Sequence, residues 1–227
     1  GDLDELGYYS VVSQKLKGFL KGKMLASKVW LPNGMKLLKR GSQLKPLSVE
    51  ELAESIDEEF LELRKMHLEE VRKKISKAQE KTWQYFFPRK NCDFYYATNG
   101  EGLNKPIERV FLDIDRKETS SAEEARLIAC GLAELIQEDK EFNKKIGKFS
   151  LFPMWTGSSF HIYLLLAKPV MHEFYNKELM FSKNNPLGSF TGKWANEIKK
   201  ATGLKVIGGH EKTEGFINID PSQTPSG

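Results

Sequence analysis

Arg109-Val110-Phe111-Leu112-Asp113-Ile114-Asp115 sets the architecture expected for this chain. Apolar residues run into two aspartates separated by one isoleucine, the pattern of a buried strand ending at a site. Successive side chains alternate across a strand, so Asp113 and Asp115 share one face while Leu112 and Ile114 share the other. Two neighbouring carboxylates repel each other and lose solvation, so a positive group is expected between them. Hard carboxylate oxygens suit magnesium or manganese. The other reading is a strand end whose aspartates cap the following turn and helix, and a lone Asp-x-Asp does not choose between the two.

Two later strands also end in polar chemistry. Thr156-Gly157-Ser158-Ser159 is a small-residue turn feeding the apolar run Phe160-His161-Ile162-Tyr163-Leu164-Leu165-Leu166, which Pro169 is expected to end. Ser159 and His161 lie two apart and face the same way. A lone histidine on an apolar strand is usually a core residue. One that follows a serine and a small-residue turn also suits phosphate oxygens, because the backbone can approach closely with N–H and hydroxyl donors. The last strand, Gly215-Phe216-Ile217-Asn218-Ile219-Asp220, ends in an aspartate before Pro221-Ser222-Gln223. Three carboxylates beside a phosphate-reading strand meet the needs of two-metal phosphoryl chemistry, with ions about 3.5–4 Å apart.

The remaining pattern supplies an α/β (α+β) framework, a mixed or antiparallel central sheet with flanking helices. Apolar spacing at Val11, Val12, Leu16, Phe19 and Leu20 predicts a helix over 8–20. A strand over 24–31, the Pro32-Asn33-Gly34 turn and a strand over 35–38 form a hairpin. Ser48, with Glu51 at the capping-box position, starts a helical segment reaching about Lys81, with breaks near Ser55 or Met66. Trp83, Tyr85, Phe86 and Phe87 read mainly as core, and 94–97 as a strand. Ser120-Ser121-Ala122-Glu123-Glu124 caps a helix ending near Glu138, a further strand covers 149–153, a helix covers 189–201 and a short strand 204–207. The expected organisation is one domain over 1–227, with a basic part at 1–47, a helical segment at 48–82 and the catalytic sheet at 83–227.

Length and composition bound the function. The 227 residues are 40% hydrophobic and 29% charged, as in a globular protein. No run of about 18 apolar residues exists and no signal peptide opens the chain, which points away from a membrane or secreted protein and toward the cytoplasm. Cys92 and Cys130 lack metal-ligand spacing, and the four histidines form no zinc motif. The net charge of +4 is mild, but its distribution is not. Lys15, Lys17, Lys21, Lys23, Lys28, Lys36, Lys39, Arg40 and Lys45 stand with no acid among them, better explained by a polyanionic partner than by a solvated face.

At these residues the chain resembles the archaeo-eukaryotic primase superfamily, and within it the polymerase domains of bacterial end-joining DNA ligases. Phe111-Leu112-Asp113-Ile114-Asp115 is similar to the first motif, Ser159-Phe160-His161 to the second, and Ile217-Asn218-Ile219-Asp220-Pro221-Ser222-Gln223 to the third. Tyr8-Tyr9, the stretch Leu20-Lys21-Gly22-Lys23 and the hairpin before Lys39-Arg40 extend the likeness over nearly the whole chain. The resemblance implies a prokaryotic, template-directed nucleotidyltransferase that extends a 3′-hydroxyl or synthesises primers, in end joining, gap filling or replication priming. It implies that Asp113, Asp115 and Asp220 hold two Mg2+ or Mn2+ ions, with Asp220 nearest the attacking hydroxyl. Ser158, Ser159, His161 and Gln223 would contact the incoming ribo- or deoxynucleoside triphosphate, with Lys39 or Arg40 reaching it from the hairpin. Lys15, Lys17, Lys21 and Lys23 would hold template phosphates or the 5′-phosphate of gapped or broken DNA, with a ligase or a DNA-end-binding protein as partner.

Two departures stand out. The turn before His161 has neither the length nor the basic residue usual in the ligase domains, so the triphosphate contacts are expected to differ. The family also continues beyond its third motif with further strands, so a minimal form, or completion by another segment or subunit, is expected. Two other function classes fit the same residues: a catalytically inactive module that binds DNA ends, and a metal-dependent nuclease. The Ser159-x-His161 pattern suits a triphosphate better than a water-attacked diester.

Overall fold

The computed structural model describes residues 5–30, 33, 36–39, 45–85, 92–96, 98–100, 104–211 and 213–225, with backbone only at 29–30, 36–39 and 92–96. The chain forms two compact units, Gly1–Gly102 and Leu103–Gly227.

In the first unit, helix α1 (Glu5–Leu16) precedes strands β1 (Leu25–Trp30) and β2 (Lys36–Lys39), which pair antiparallel as the expected hairpin. Pro32 and Gly34 of its turn lie outside the described residues. The helix starts earlier than the apolar spacing suggests and turns a different stripe inward. Leu6 and Ser13 are buried, with Tyr9 packed beside them, whereas Val11, Leu16 and Phe19 are exposed. Positions 6, 9 and 13 make the inward stripe of one helical face.

The segment after Ser48 is four short helices rather than one with a single break. These are α2 (Val49–Ser55), α3 (Glu58–Leu63), α4 (Leu68–Val71) and α5 (Lys77–Tyr85). Ser48 and Glu51 form the expected capping box. Asp57 accepts from the N–H of Phe60, and Ser76 and Gln79 cap each other reciprocally, so two of the interruptions are new helix starts. Leu6, Leu25, Leu52, Phe60, Val71, Trp83 and Tyr85 meet in this unit's core, which confirms Trp83 and Tyr85 as packing residues. Strand β3 (Cys92–Tyr96), expected in the catalytic sheet, instead pairs with β1 and completes a three-stranded sheet.

The second unit is a five-stranded, mostly antiparallel sheet with helices on one face. Strand β4 (Ile107–Asp115) is followed by α6 (Ala122–Glu138), capped by Ser121 and Glu124 of the stretch expected to start it, and by α7 (Lys140–Ile146). Strands β5 (Phe149–Trp155) and β6 (Phe160–Val170) precede a π-helical turn at Tyr175–Leu179. Helix α8 (Phe190–Thr202) and strands β7 (Val206–Gly208) and β8 (Ile217–Asp220) complete the unit. The order is β5-β6-β4-β8-β7, with only β7 and β8 parallel. β7 begins and ends later than expected. β6 runs through Pro169 to Val170, because the register against β4 shifts between Ile107 and Arg109 and an irregular ladder tolerates a residue without an N–H.

The alternation along β4 separates two environments. Val110, Leu112 and Ile114 join Ile162, Leu164, Ile217 and Ile219 against Ile128 and Leu132 of α6 and Trp194 and Ile198 of α8. Asp113 and Asp115 stand on the other face. Among the described residues no helix is long and apolar enough to cross a membrane.

Candidate active site

The site is a row across the sheet. Antiparallel pairing sets Asp113 of β4 directly opposite His161 of β6 on one side and Asp220 of β8 on the other. Directly opposed residues share a face and bring their Cβ atoms to about 4.5–5.5 Å. Asp115, two residues along β4, is opposite Asn218. The register therefore gathers all three aspartates and His161, drawn from three strands, on the face away from the helices.

Asp113 is half-buried, and its Oδ1 lies 3.4 Å from His161 Nε2. The imidazole also meets the Phe111 ring edge-on, with centroids 4.8 Å apart, and Phe111 leans on Tyr163. Aromatic neighbours thus fix the ring that faces the carboxylate.

Asp220 is only 3% exposed and its carboxylate is enclosed by donors. Oδ1 accepts from the Ser222 N–H at 2.9 Å, and Oδ2 accepts from Ser222 Oγ at 2.9 Å. His210 Nδ1 lies 2.7 Å from the same Oδ2. Asn218 Nδ2 donates to the carbonyls of Gly209 and Glu211, on either side of His210, and so holds the loop that carries the imidazole. Thr224 continues the ladder where β8 stops, since its Oγ1 donates to the Phe111 carbonyl and accepts from the Phe111 N–H.

A cavity of about 530 Å³ opens beside Asp220, lined by residues of 180–184 and 207–211. Gly208 and Gly209 admit the Phe181 ring here, which a Cβ would meet at 2.7 and 2.9 Å respectively. Tyr175 also lines the cavity. Burial, then the Asp220 charge, pushes its phenol up to about 12, so the hydroxyl stays protonated.

Other expected contacts fall differently. Ser159 is buried and spends its hydroxyl on the Ile114 carbonyl and its N–H on Thr156 Oγ1, which ties β6 to β4. Ser158 and Gln223 are exposed. In the first unit Lys15, Lys17 and Lys21 are exposed, but Lys23 is 7% exposed, so its ammonium belongs to the interior of that unit rather than to an open basic face. Arg40 and the Lys39 side chain lie outside the described residues.

His210, Ser222 and Arg116 were not singled out by the sequence. Ser222 had a local signal, because an aspartate readily accepts from the N–H two residues on. His210 had none, since its pairing depends on the loop between β7 and β8.

The donor chemistry of the three aspartates fits a hard divalent ion. The side-chain placement is not preassembled. Among the described residues no three His, Cys, Asp or Glu side chains are grouped so as to ligate one ion, and Asp113 and Asp220 are turned to protein donors.

The polymerase domain of Mycobacterium tuberculosis Ligase D, solved in complex with DNA, matches 98% of this chain and 71% of its own at a TM-score of 0.55 and 18% sequence identity. The chain shares that domain's fold. No protein-family model and no curated protein sequence matches it.

Proposed function

We propose that the protein is a template-directed nucleotidyltransferase that extends a nucleic-acid 3′-hydroxyl, acting in end joining, gap filling or priming. One observation carries the reading: Asp113 and Asp220 oppose each other in register, flanked by His161, on a fold shared with a DNA-bound polymerase domain. In the reaction the 3′-oxygen forms a bond to the α-phosphorus of a nucleoside triphosphate, the bond to the bridging oxygen breaks, and pyrophosphate leaves. Asp113, Asp115 and Asp220 would hold Mg2+ or Mn2+, which when bound lowers the pKa of the attacking hydroxyl and neutralises the leaving group.

The chain's own residues bind and orient. Asp220 stands between the sheet row and the adjoining cavity, so a strand's 3′-terminal nucleoside seated there presents its hydroxyl at the carboxylate. That cavity lies within the range of small-ligand sites, about 300–1,000 Å³. His161 Nε2, on the far side of Asp113, faces the triphosphate. An ion at Asp220 would compete with the Ser222 and His210 contacts for the carboxylate, and His210, 74% exposed, is the accessible one of the two. The exposed Lys15, Lys17 and Lys21 supply phosphate contacts on the first unit, a salt-sensitive contribution.

The enclosure of Asp220 favours one second reading, a module that binds DNA ends without catalysis. Incubation with primed, gapped DNA bearing a downstream 5′-phosphate, manganese and each nucleotide in turn tests both. Template-directed extension, lost in Asp113→Ala/Asp115→Ala, is the expected result. DNA binding without extension overturns the transferase reading in favour of the module. Release of fragments without added nucleotide points to a nuclease.

A further inference from the structure

The turn before His161 contains no charged residue, yet it is not without a cation. Arg116, the residue after Asp115, sends Nε to the Ser158 carbonyl in that turn and Nη1 to the Ser120 carbonyl at the start of α6, at 2.9 Å. A guanidinium carries five N–H donors, and these bonds use two. Among the described residues no carboxylate pairs with Arg116, although the strand end beside it carries Asp113 and Asp115. The two carbonyls hold the group in place while most of its donors stay unspent.

The turn itself offers more donors. Ser159 is committed internally, as described above. The N–H groups of Gly157 and Ser158 and the Ser158 hydroxyl have no partner among the described residues, and Ser158 is exposed. Gly157 has φ +92°, a conformation that glycine adopts without strain. Lys117, next along the chain, makes no hydrogen bond to the turn and lacks this positioning.

We propose that Arg116, with the backbone and hydroxyl donors of Gly157 and Ser158, forms the anion site that takes the terminal phosphates of the incoming nucleoside triphosphate. The cation comes from the strand that bears the aspartates rather than from the turn. A planar fork on phosphate oxygens gives two parallel charge-assisted bonds. The identity of the ligand rests on the nucleotidyltransferase reading; the anion site itself does not.

The test is calorimetric titration of inorganic tripolyphosphate, and separately of a non-hydrolysable nucleoside triphosphate, into the full chain and its variants. Arg116→Gln weakens both by about tenfold to a hundredfold, the loss expected for hydrogen bonds to a charged group. Arg116→Lys keeps the charge without the fork and falls between. Lys117→Gln, the neighbouring control, leaves affinity unchanged. In primer extension Arg116→Gln raises KM for nucleotide and leaves kcat nearly intact, a split that a general loss of structure does not give. Affinity unchanged in Arg116→Gln, equal loss in Lys117→Gln, or no binding by the parent chain overturns the site. Arg116-dependent binding without extension by any form overturns the transferase reading alone. Extension with an unaltered KM in Arg116→Gln overturns the site alone.

Discussion

Asp113 and Asp220 sit opposite each other in one row of one sheet, and their surroundings differ. Asp113 is half-buried and, among the described residues, meets His161 at 3.4 Å. Asp220 is buried and held by Ser222 and His210. The first is a half-buried carboxylate near a strand end, held in position by the hydrophobic face beneath it. The second is built into the local structure, so that its removal strips partners from a loop as well as a charge from the site. Two carboxylates with one expected role thus differ in what they cost the fold.

That difference can be measured as stability. Asp220→Ala leaves the Ser222 N–H and hydroxyl without their acceptor, and is expected to lower unfolding free energy by about 2–3 kcal/mol in urea titration. Asp113→Asn, which removes one of two opposed like charges and no enclosed network, is expected to stay within about 0.5 kcal/mol of the parent. Equal losses in the two variants would erase the distinction.

Ser222→Ala sharpens it. The variant keeps the backbone donor to Oδ1 and loses the hydroxyl donor to Oδ2, a loss of about 1 kcal/mol by the same titration. An unchanged midpoint would mean that His210 and the backbone suffice to hold the carboxylate.

The smallest effect is a pH dependence. The folded-state pKa of Tyr175 is raised to about 12, by burial first and by the Asp220 charge second. A raised pKa favours the protonated phenol in the folded state, so its contribution is present in full below about 10 and is lost as pH rises toward 12. Tyr175→Phe flattens the alkaline loss of stability in that window, and Asp220→Asn shifts the phenol downward in ultraviolet titration. A profile unaffected by Tyr175→Phe would show that this phenol does not titrate apart from the other tyrosines.

Much of the five-stranded sheet was legible in the sequence, because strand alternation is a two-residue rule and its consequences are geometric. Asp113 and Asp115 on one face, the apolar Leu112 and Ile114 on the other, and a helix capped from within Ser120-Ser121-Ala122-Glu123-Glu124 all follow from local pattern. What was not legible depends on contacts distant in sequence. The inward stripe of α1 is chosen by what Leu6 packs against, and the four helices after Ser48 are set by caps at Asp57 and Ser76 competing with helix continuation. β3 joins β1 rather than the five-stranded sheet, since a short apolar strand carries no label for its partner. Ser159 has the composition of a phosphate ligand and the contacts of a strand tether. Arg116, next to the most informative residues in the chain, carries no local signal, because its bond to the Ser158 carbonyl forms only when the fold brings that distant turn beside it.

The central claim is that the opposed pair acts as one catalytic unit. Its most direct test is template-directed nucleotide incorporation by the parent chain, Asp113→Asn, Asp220→Asn and the double variant, each confirmed folded and DNA-bound. Each single variant is expected to lose about a thousandfold or more, and the double variant to fall no further, as residues acting together do. Near-parent incorporation by either single variant, or losses that multiply in the double, would contradict it.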